Sequence, residues 1–424
     1  FRRKHGDQIK DIHRQMIRVA VDMGLAKLSE LTIDGTRILA DANRYKTWTV
    51  SRVEKMLAEL DGQITKTMNE LEFTDSLEDL FDDGQSADRL PPELSEMKDR
   101  QKKMNVVLEE LREADAGRRK NGIDPQKNPA QRPKTDLDSR ILPNKEGGYA
   151  PNDTPMFVNE LINGFIVAAD VVVGNVEHTC PATTVDLVSS QYGVSVETMM
   201  ADTAYSTGQN LTAMEDRNVE LLSSLAEVTC ADNPAIRDDP TQPVAAEDVA
   251  KLPRNASSKV FDRQAFVYDE EQDCYDCPEG RTLNRRGTQT QQRASGPVLA
   301  IIYECDDCSN CSMASGCRQK VDSPRPRRVA RDVHESARKR QRERMTTDAA
   351  KERYKQRQHF GETPFAVLKV CFDLRRFSLR RLKGVQTEFQ WACSAFNTKK
   401  LMTLLAALRA GGRSLDVIFE CCGV

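Results

Sequence analysis

Apolar side chains recur at helical spacing over residues 6–23, where Ile9, Ile12, Met16, Val19 and Met23 mark one face and Gly24 suits the C-cap. The pattern then changes. Leu28, Leu31, Ile33 and Ile38 bracket a short strand that runs through Asp34-Gly35-Thr36, an acid in mid-strand followed by a turn residue. On pattern alone a simple turn fits that acid equally well. Two long amphipathic helices follow over residues 49–72 and 91–117. Val53, Met56, Leu57, Leu60 and Ile64 form the inward stripe of the first, and Met97, Met104, Val107, Leu108 and Leu111 that of the second. A helical hairpin is expected, joined by an acidic loop over residues 74–90. Residues 116–140, rich in Gly, Pro, Asn and Lys, read as a mobile loop.

Order returns near Tyr149. Residues 156–160 and 164–173 predict antiparallel strands turned at Ile162-Asn163-Gly164. A helix over 183–192 leads to a strand over 196–201 that ends in Asp202, then a helix over 208–217 and a strand over 219–223. This strand–helix–strand unit sets an acid at the carboxyl end of a strand, where open α/β sheets place ligand-binding residues. Residues 230–260 read as a polar linker, and 261–320 as short strands around a cysteine cluster. A long arginine-rich helix is predicted over 329–360, leading into Glu362, and another over about 384–408.

Charge adds a direction to this outline. The 424 residues carry a net charge of −3, but acids gather in 54–115 and cations in 325–358 and 375–383. Such a split is expected when one face meets a polyanion. No apolar run approaches a membrane span, and the start FRRKHGDQIKDIH lacks the apolar segment of a signal peptide. Because the first residue is Phe1 rather than Met, the chain reads as a fragment whose N-terminus is missing. Six of the twelve cysteines fall within 274–317. Cys274-x2-Cys277 and Cys308-x2-Cys311, with Cys305 and Cys317 nearby, have the spacing of a structural zinc site. Free thiols in a reducing cytoplasm are the plainer reading.

Three acids stand apart. Asp34 and Asp202 end strands, and Glu362 lies on a helix in a strongly basic field, followed by the connector cations Arg375, Arg376, Arg380, Arg381 and Lys383. A lone acid among phosphate-binding cations suggests a metal ion held among phosphates. Paired divalent cations ~4 Å apart need carboxylate oxygens from several elements. Arg325, Arg327, Arg328, Arg331, Arg338, Arg340, Arg342 and Arg344 read either as a solvated face or, so close to Glu362, as a track for a phosphate backbone. Trp48 and Trp391 read as packing residues; His178 and His359 have no partners at ligand spacing.

At these residues the chain resembles the DDE transposases of bacterial insertion sequences, with an RNase H-like catalytic core. LTIDGTRILADAN is similar to their first strand, YAPNDTPMFVNELINGFIVAADV to the second and third, and MMADTAYSTGQNLTAMEDRNVELL to the segment of the second acid. RYKQRQHFGETPFAVLKV and LRRFSLRRLKGVQTEFQWACSAFNTKKL resemble the block of the third acid, the most specific stretch. The resemblance implies that Asp34, Asp202 and Glu362 are the catalytic triad holding two Mg²⁺ or Mn²⁺ ions. It implies that Tyr354, Arg357 and Lys369 hold DNA phosphate, with Arg375, Arg376, Arg380 and Arg381 beside them. Four residues separate Arg357 from Glu362, one more than the family's pattern, and Glu160 stands where relatives often carry Asp. CPEGRTL and the cysteines after it resemble the family's cysteine-rich branch, which implies Cys277, Cys308, Cys311 and Cys317 as zinc ligands, with Cys274 and Cys305 spare.

The fold so implied is α/β: an RNase H-like mixed sheet flanked by helices, with a helical-hairpin insertion after the first strand and a small zinc-binding insertion before the last catalytic helix. The expected organisation begins with the core at 1–40, the helical insertion and mobile linker at 41–140, and the core continued at 141–228. The cysteine-rich insertion at 229–325, the C-terminal catalytic helices at 326–412 and a tail at 413–424 complete it. The implied function is a DNA transposase that cleaves element ends and joins them to target DNA in the bacterial nucleoid, as a homodimer on DNA. The alternatives are an inactive DNA-binding descendant and a metal-dependent nuclease that cuts without joining.

Overall fold

A computed structural model describes residues 5–81, 92–120, 122–144, 147–225, 232–293, 296–306, 308, 310–320 and 325–410. The chain begins with α1 (Gly6–Asp22), β1 (Glu30–Gly35), β2 (Ile38–Leu39) and β3 (Thr47–Trp48). Helices α2 (Val50–Phe81) and α3 (Pro92–Lys120) precede β4 (Arg132–Pro133), β5 (Arg140–Pro143), β6 (Tyr149–Glu160) and β7 (Ile166–Val172). Then come α4 (Pro181–Tyr192), β8 (Thr198–Met200), α5 (Gly208–Glu215) and β9 (Glu220–Leu222). Strands β10 (Val267–Asp269), β11 (Cys274–Asp276), β12 (Thr282–Arg293) and β13 (Gly296–Cys305) lead to the one-turn helix α6 (Ala314–Cys317) and β14 (Arg328–Asp332). The last helices are α7 (Glu335–Thr346), α8 (Asp348–Val370) and α9 (Leu382–Ala410). The class is α/β.

Two compact units emerge. The first comprises Phe1–Cys180, Leu187–Ser195 and Gln358–Val424, and the second Pro181–Asp186 and Val196–Arg357. In the first unit β6 is the axis of the sheet: β1 and β7 pair with it antiparallel, and β2 and β5 pair with its opening residues. Every β6 residue after Tyr149 is buried. Ile38, Phe157, Ile166 and Val171 from the strands pack against Phe365 and Leu368 of α8 and Val385, Phe389 and Phe396 of α9. The β6–β7 turn contains Gly164, whose φ of +71° and closeness to the Phe360 ring leave no room for a side chain.

The helical hairpin forms with the expected stripes: Val53 and Leu57 meet Met104, Val107, Leu108 and Leu111, while Leu60 and Ile64 meet Leu94. Two expectations change here. Helix α2 continues to Phe81, so part of the expected acidic loop is helical, and residues 82–91 lie outside the described residues. Residues 122–144 are packed rather than loose. Ala130 joins the hairpin core, its amide donates to Asp115 Oδ1 at 2.7 Å, and Arg132 pairs with Glu110. Asp136 and Asp138 accept the amides of Arg381 (3.1 Å) and Leu382 (2.9 Å), capping the start of α9.

The second unit contains the parallel pair β8 and β9, linked through α5, and a five-stranded antiparallel sheet in the order β10-β11-β12-β13-β14. The expected linker over 230–260 supplies core instead: Ala235, Val244 and Leu252 pack with Phe261, Tyr275, Tyr303, Cys277 and Cys317. The strands around the cysteines are also longer than expected, β12 and β13 running 12 and 10 residues. The single helix expected over 329–360 resolves into β14, α7 and the start of α8. Val329 and Arg331 alternate inward as strand residues. Thr347, extended at φ −70° and ψ 140°, ends α7, and its Oγ1 accepts the Ala350 amide at 3.3 Å to open α8.

Candidate active site

Asp34 lies near the end of β1, directly opposite Phe157 of β6. Residues opposite one another in an antiparallel pair share a face of the sheet. On that face Phe157 meets Phe365, with ring centroids 4.0 Å apart, and so fixes α8 over Asp34. Two further ties set the helix along the strand. Asn159 Nδ2 donates to the carbonyl of Phe360 at 3.0 Å, and Lys369 Nζ donates to Thr36 Oγ1 at 2.7 Å and to the Arg37 carbonyl at 3.1 Å. Between them Gly361 sits so close to β1 that a β-carbon there would meet Asp34 Oδ2 at 3.4 Å, Asp34 Cβ at 3.5 Å and Thr32 Oγ1 at 3.6 Å. Glu362 is the next residue, exposed, on the same turn. Packing thus sets the α8 turn that carries the third sequence-predicted acid beside the strand that carries the first, across a separation of hundreds of residues.

Asp202 belongs to the second unit. It follows the carboxyl end of β8 and N-caps a short 3₁₀ turn, accepting the Ala204 amide at 2.8 Å. Ser223 Oγ donates to its carbonyl at 2.6 Å, and Gln341 Nε2 holds the Ser223 carbonyl at 2.7 Å. The backbone of this acid is therefore braced by β9's end and α7. Glu160 has a different employment. Fully buried, it accepts the amides of Ile162 (2.8 Å), Asn163 (3.0 Å) and Phe165 (2.9 Å), closing the β6–β7 turn. Its register partner is Leu31, three residues or ~10 Å of strand from Asp34.

Of the expected phosphate-binding residues, Tyr354 and Arg357 stack on each other, the guanidinium 5.7 Å from the ring centroid. Lys369 is tied to Thr36 and Arg37, as above. Arg375 donates to the Lys369 carbonyl at 3.3 Å, Arg376 to that of Ala40 at 3.4 Å, and Arg380 to the Asp41 carboxylate at 2.9 Å. Arg376 and Arg380 line a cavity of about 470 Å³ with Arg44, Tyr45 and Lys46. Arg381, at φ +66°, turns the chain into α9. The arginine run before Glu362 departs from a free phosphate track. Arg338 pairs with Asp332, Arg340 with Glu215, Arg342 with Glu335, and Arg353 with Glu220.

Residues 276–402 match a family model described as a transposase DDE domain. Over that stretch the chain is similar to a DDE transposase domain. No curated protein matches it. The matched residues of the transposase domain include Glu362, Tyr354, Arg357, Lys369, the connector arginines and five of the six clustered cysteines, but neither Asp34 nor Asp202. DNA is the partner that this family implies. No helix among the described residues is long and apolar enough to cross a membrane.

The cysteines divide into two sets. Burial pushes the Cys317 thiol up to about 12, and the neighbouring Cys277, Cys308 and Cys311 add to that effect. Cys277 likewise has Cys311 and Cys308 beside it. Backbone amides point at two of these sulfurs, Arg281 N to Cys277 Sγ at 3.3 Å and Arg327 N to Cys308 Sγ at 3.4 Å. The Cys274 thiol is raised by burial and by Asp276, Asp269 and Asp273, with no other thiol contributing. Among the described residues, no three His, Cys, Asp or Glu side chains are grouped closely enough to hold a metal ion. What sequence reasoning missed is the frame around the acids: Asn159, Gly361 and the Phe157–Phe365 contact. Only the Gly before Glu362 was visible as a signal, since a glycine in mid-helix is costly and needs a reason.

Proposed function

We propose that this protein is a metal-dependent DNA strand transferase with an RNase H-like core, which cleaves at the ends of an insertion sequence and joins them to target DNA. The observation that carries the reading is the closeness of Asp34 to Gly361, on the α8 turn that bears Glu362. The reading adds Asp202, the acid at the carboxyl end of a parallel strand, as the third carboxylate. Their oxygens are hard donors of the kind Mg²⁺ prefers. Paired Mg²⁺ or Mn²⁺ ions would activate a water or a DNA 3′-hydroxyl and stabilise the leaving oxygen. Tyr354, Arg357 and the cations around Arg376 and Arg380 would hold the DNA phosphates, and the resemblance adds a homodimer on DNA.

A structural zinc bound by Cys277, Cys308, Cys311 and Cys317 belongs to the same reading. The packing of Cys277, Cys308 and Cys317 into one core and the two amide–sulfur hydrogen bonds support it. The test of the main proposal is a joining assay with a pre-cleaved 3′-hydroxyl oligonucleotide and Mg²⁺ or Mn²⁺. Wild type is expected to join, and Asp34→Ala, Asp202→Ala and Glu362→Ala are each expected to lose at least ~100-fold. Cutting without joining makes the protein a nuclease. Neither activity makes it a binding protein.

A further inference from the structure

A cavity of about 330 Å³ in the second unit is lined by β10, β14 and α7. Four cations stand on its wall, and three have carboxylates. Arg263 and Arg342 share Glu335 at 2.9 and 2.5 Å, and Lys339 reaches Glu270 at 3.1 Å. Arg331 differs. It is 8% exposed, lies 4.0 Å over the Tyr268 ring, and makes one polar contact, to Ser336 Oγ at 3.3 Å. Its Nε is buried with no hydrogen-bond partner, and no carboxylate among the described residues pairs with it.

A guanidinium withdrawn from water is costly unless it is paired, and a ring face compensates only part of that cost. The missing partner is an anion. Arginine's planar fork matches the two oxygens of a carboxylate or phosphate, and the two carboxylates of the cavity wall, Glu270 and Glu335, are already engaged with the other three cations. The cavity is at the lower end of the range for small-molecule sites, roughly 300–1,000 Å³, large enough for a phosphate and part of what it is attached to. Phe266 and Tyr268 add aromatic surface to the wall. We propose that this cavity binds an oxyanion of the phosphate class, with Arg331 as its ligand. The site lies outside the acids of the strand-transfer reading and does not depend on them. Its source is either a free phosphate compound or the phosphate of a DNA strand.

The test uses the full chain with no added divalent metal. Thermal unfolding is followed with inorganic phosphate against chloride at equal ionic strength, and a labelled single-stranded 12-mer is titrated by fluorescence polarisation. Phosphate is expected to raise the Tm of wild type but not of Arg331→Met, or the oligonucleotide to bind Arg331→Met at least ten-fold more weakly. A response to phosphate alone identifies a free phosphate compound, and a response confined to the oligonucleotide identifies the strand. Identical behaviour of wild type and Arg331→Met in both assays overturns the proposal. Should Arg331→Met not fold, phenylglyoxal modification of Arg331 in wild type decides, read by mass spectrometry. Slower modification in phosphate or oligonucleotide supports the site, and equal rates in both overturn it.

Discussion

Glu160 and Asp34 stand on paired strands, and their surroundings assign them different tasks. Three amides converge on the buried Glu160 carboxylate, which makes it the keystone of the β6–β7 turn. Glu160→Ala would leave those donors buried and unpaired, and we expect a loss of ~3–5 kcal/mol in urea unfolding. A second buried acid, Asp153, carries a pH dependence. Burial, with Asp136 and Asp138 nearby, raises its pKa from 3.8 to about 7. The folded state therefore binds this proton more tightly than the unfolded chain does. Its stabilising effect is complete below the ordinary value of 3.8, falls as pH rises, and is gone above about 7. Asp153→Asn is expected to match wild type in acid and to exceed it at pH ~8 by up to ~4 kcal/mol. Denaturation midpoints of both proteins across that range check it; a constant difference would remove Asp153 as the cause.

At the scale of elements, α8 does the most. Its opening carried a signal that the single helix expected over 329–360 passed over: Thr347 followed by Asp348 is an N-cap signature, but arginine-rich composition concealed the break there and the strand before it. Composition reports solubility, whereas the break depends on one residue's extended backbone. The tilt of α8 onto β1 was not legible, because it rests on Phe157, Asn159 and Thr36, far away in sequence. Gly361 shows how close the fit is. A single methyl would make ordinary van der Waals contact with Asp34, so Gly361→Ala should fold with stability unchanged or raised by ~1 kcal/mol. Gly361→Leu would wedge α8 away from Asp34. We expect joining activity to survive in the alanine variant and to fall at least ~10-fold in the leucine variant, with both measured beside thermal unfolding. Equal activity in the two would mean that the Asp34–Glu362 spacing has no catalytic role.

Across the whole chain, local periodicity was readable and long-range recruitment was not. The hairpin stripes of α2 and α3 and the β8–α5–β9 unit follow from spacing alone. Residues 230–260 looked like linker because Ala235, Val244 and Leu252 are isolated apolar positions without a period, and only the cysteine-bearing core gives them a place to be buried. The arginines before Glu362 looked available for phosphate because their acids, such as Glu215 and Glu220, come more than a hundred residues earlier. The candidate acids were legible as residues, but the packing of the Glu362 turn of α8 beside β1 was not. The same core permits a test of the zinc reading that leaves catalysis aside. Cys277 and Cys317 are buried members of it, so a metal bound there would hold the long β12–β13 hairpin and the preceding irregular chain in one cooperative block. Purified protein is then expected to contain one zinc per chain by elemental analysis, to lose it in Cys277→Ser and Cys317→Ser, and to keep it in Cys274→Ser. Chelation should speed amide exchange in residues 232–332 while β1, β6 and β7, in the other unit, exchange as before. Exchange that rises equally in both units would assign the metal a different place, and zinc-free protein with unchanged protection would leave these cysteines as packed thiols.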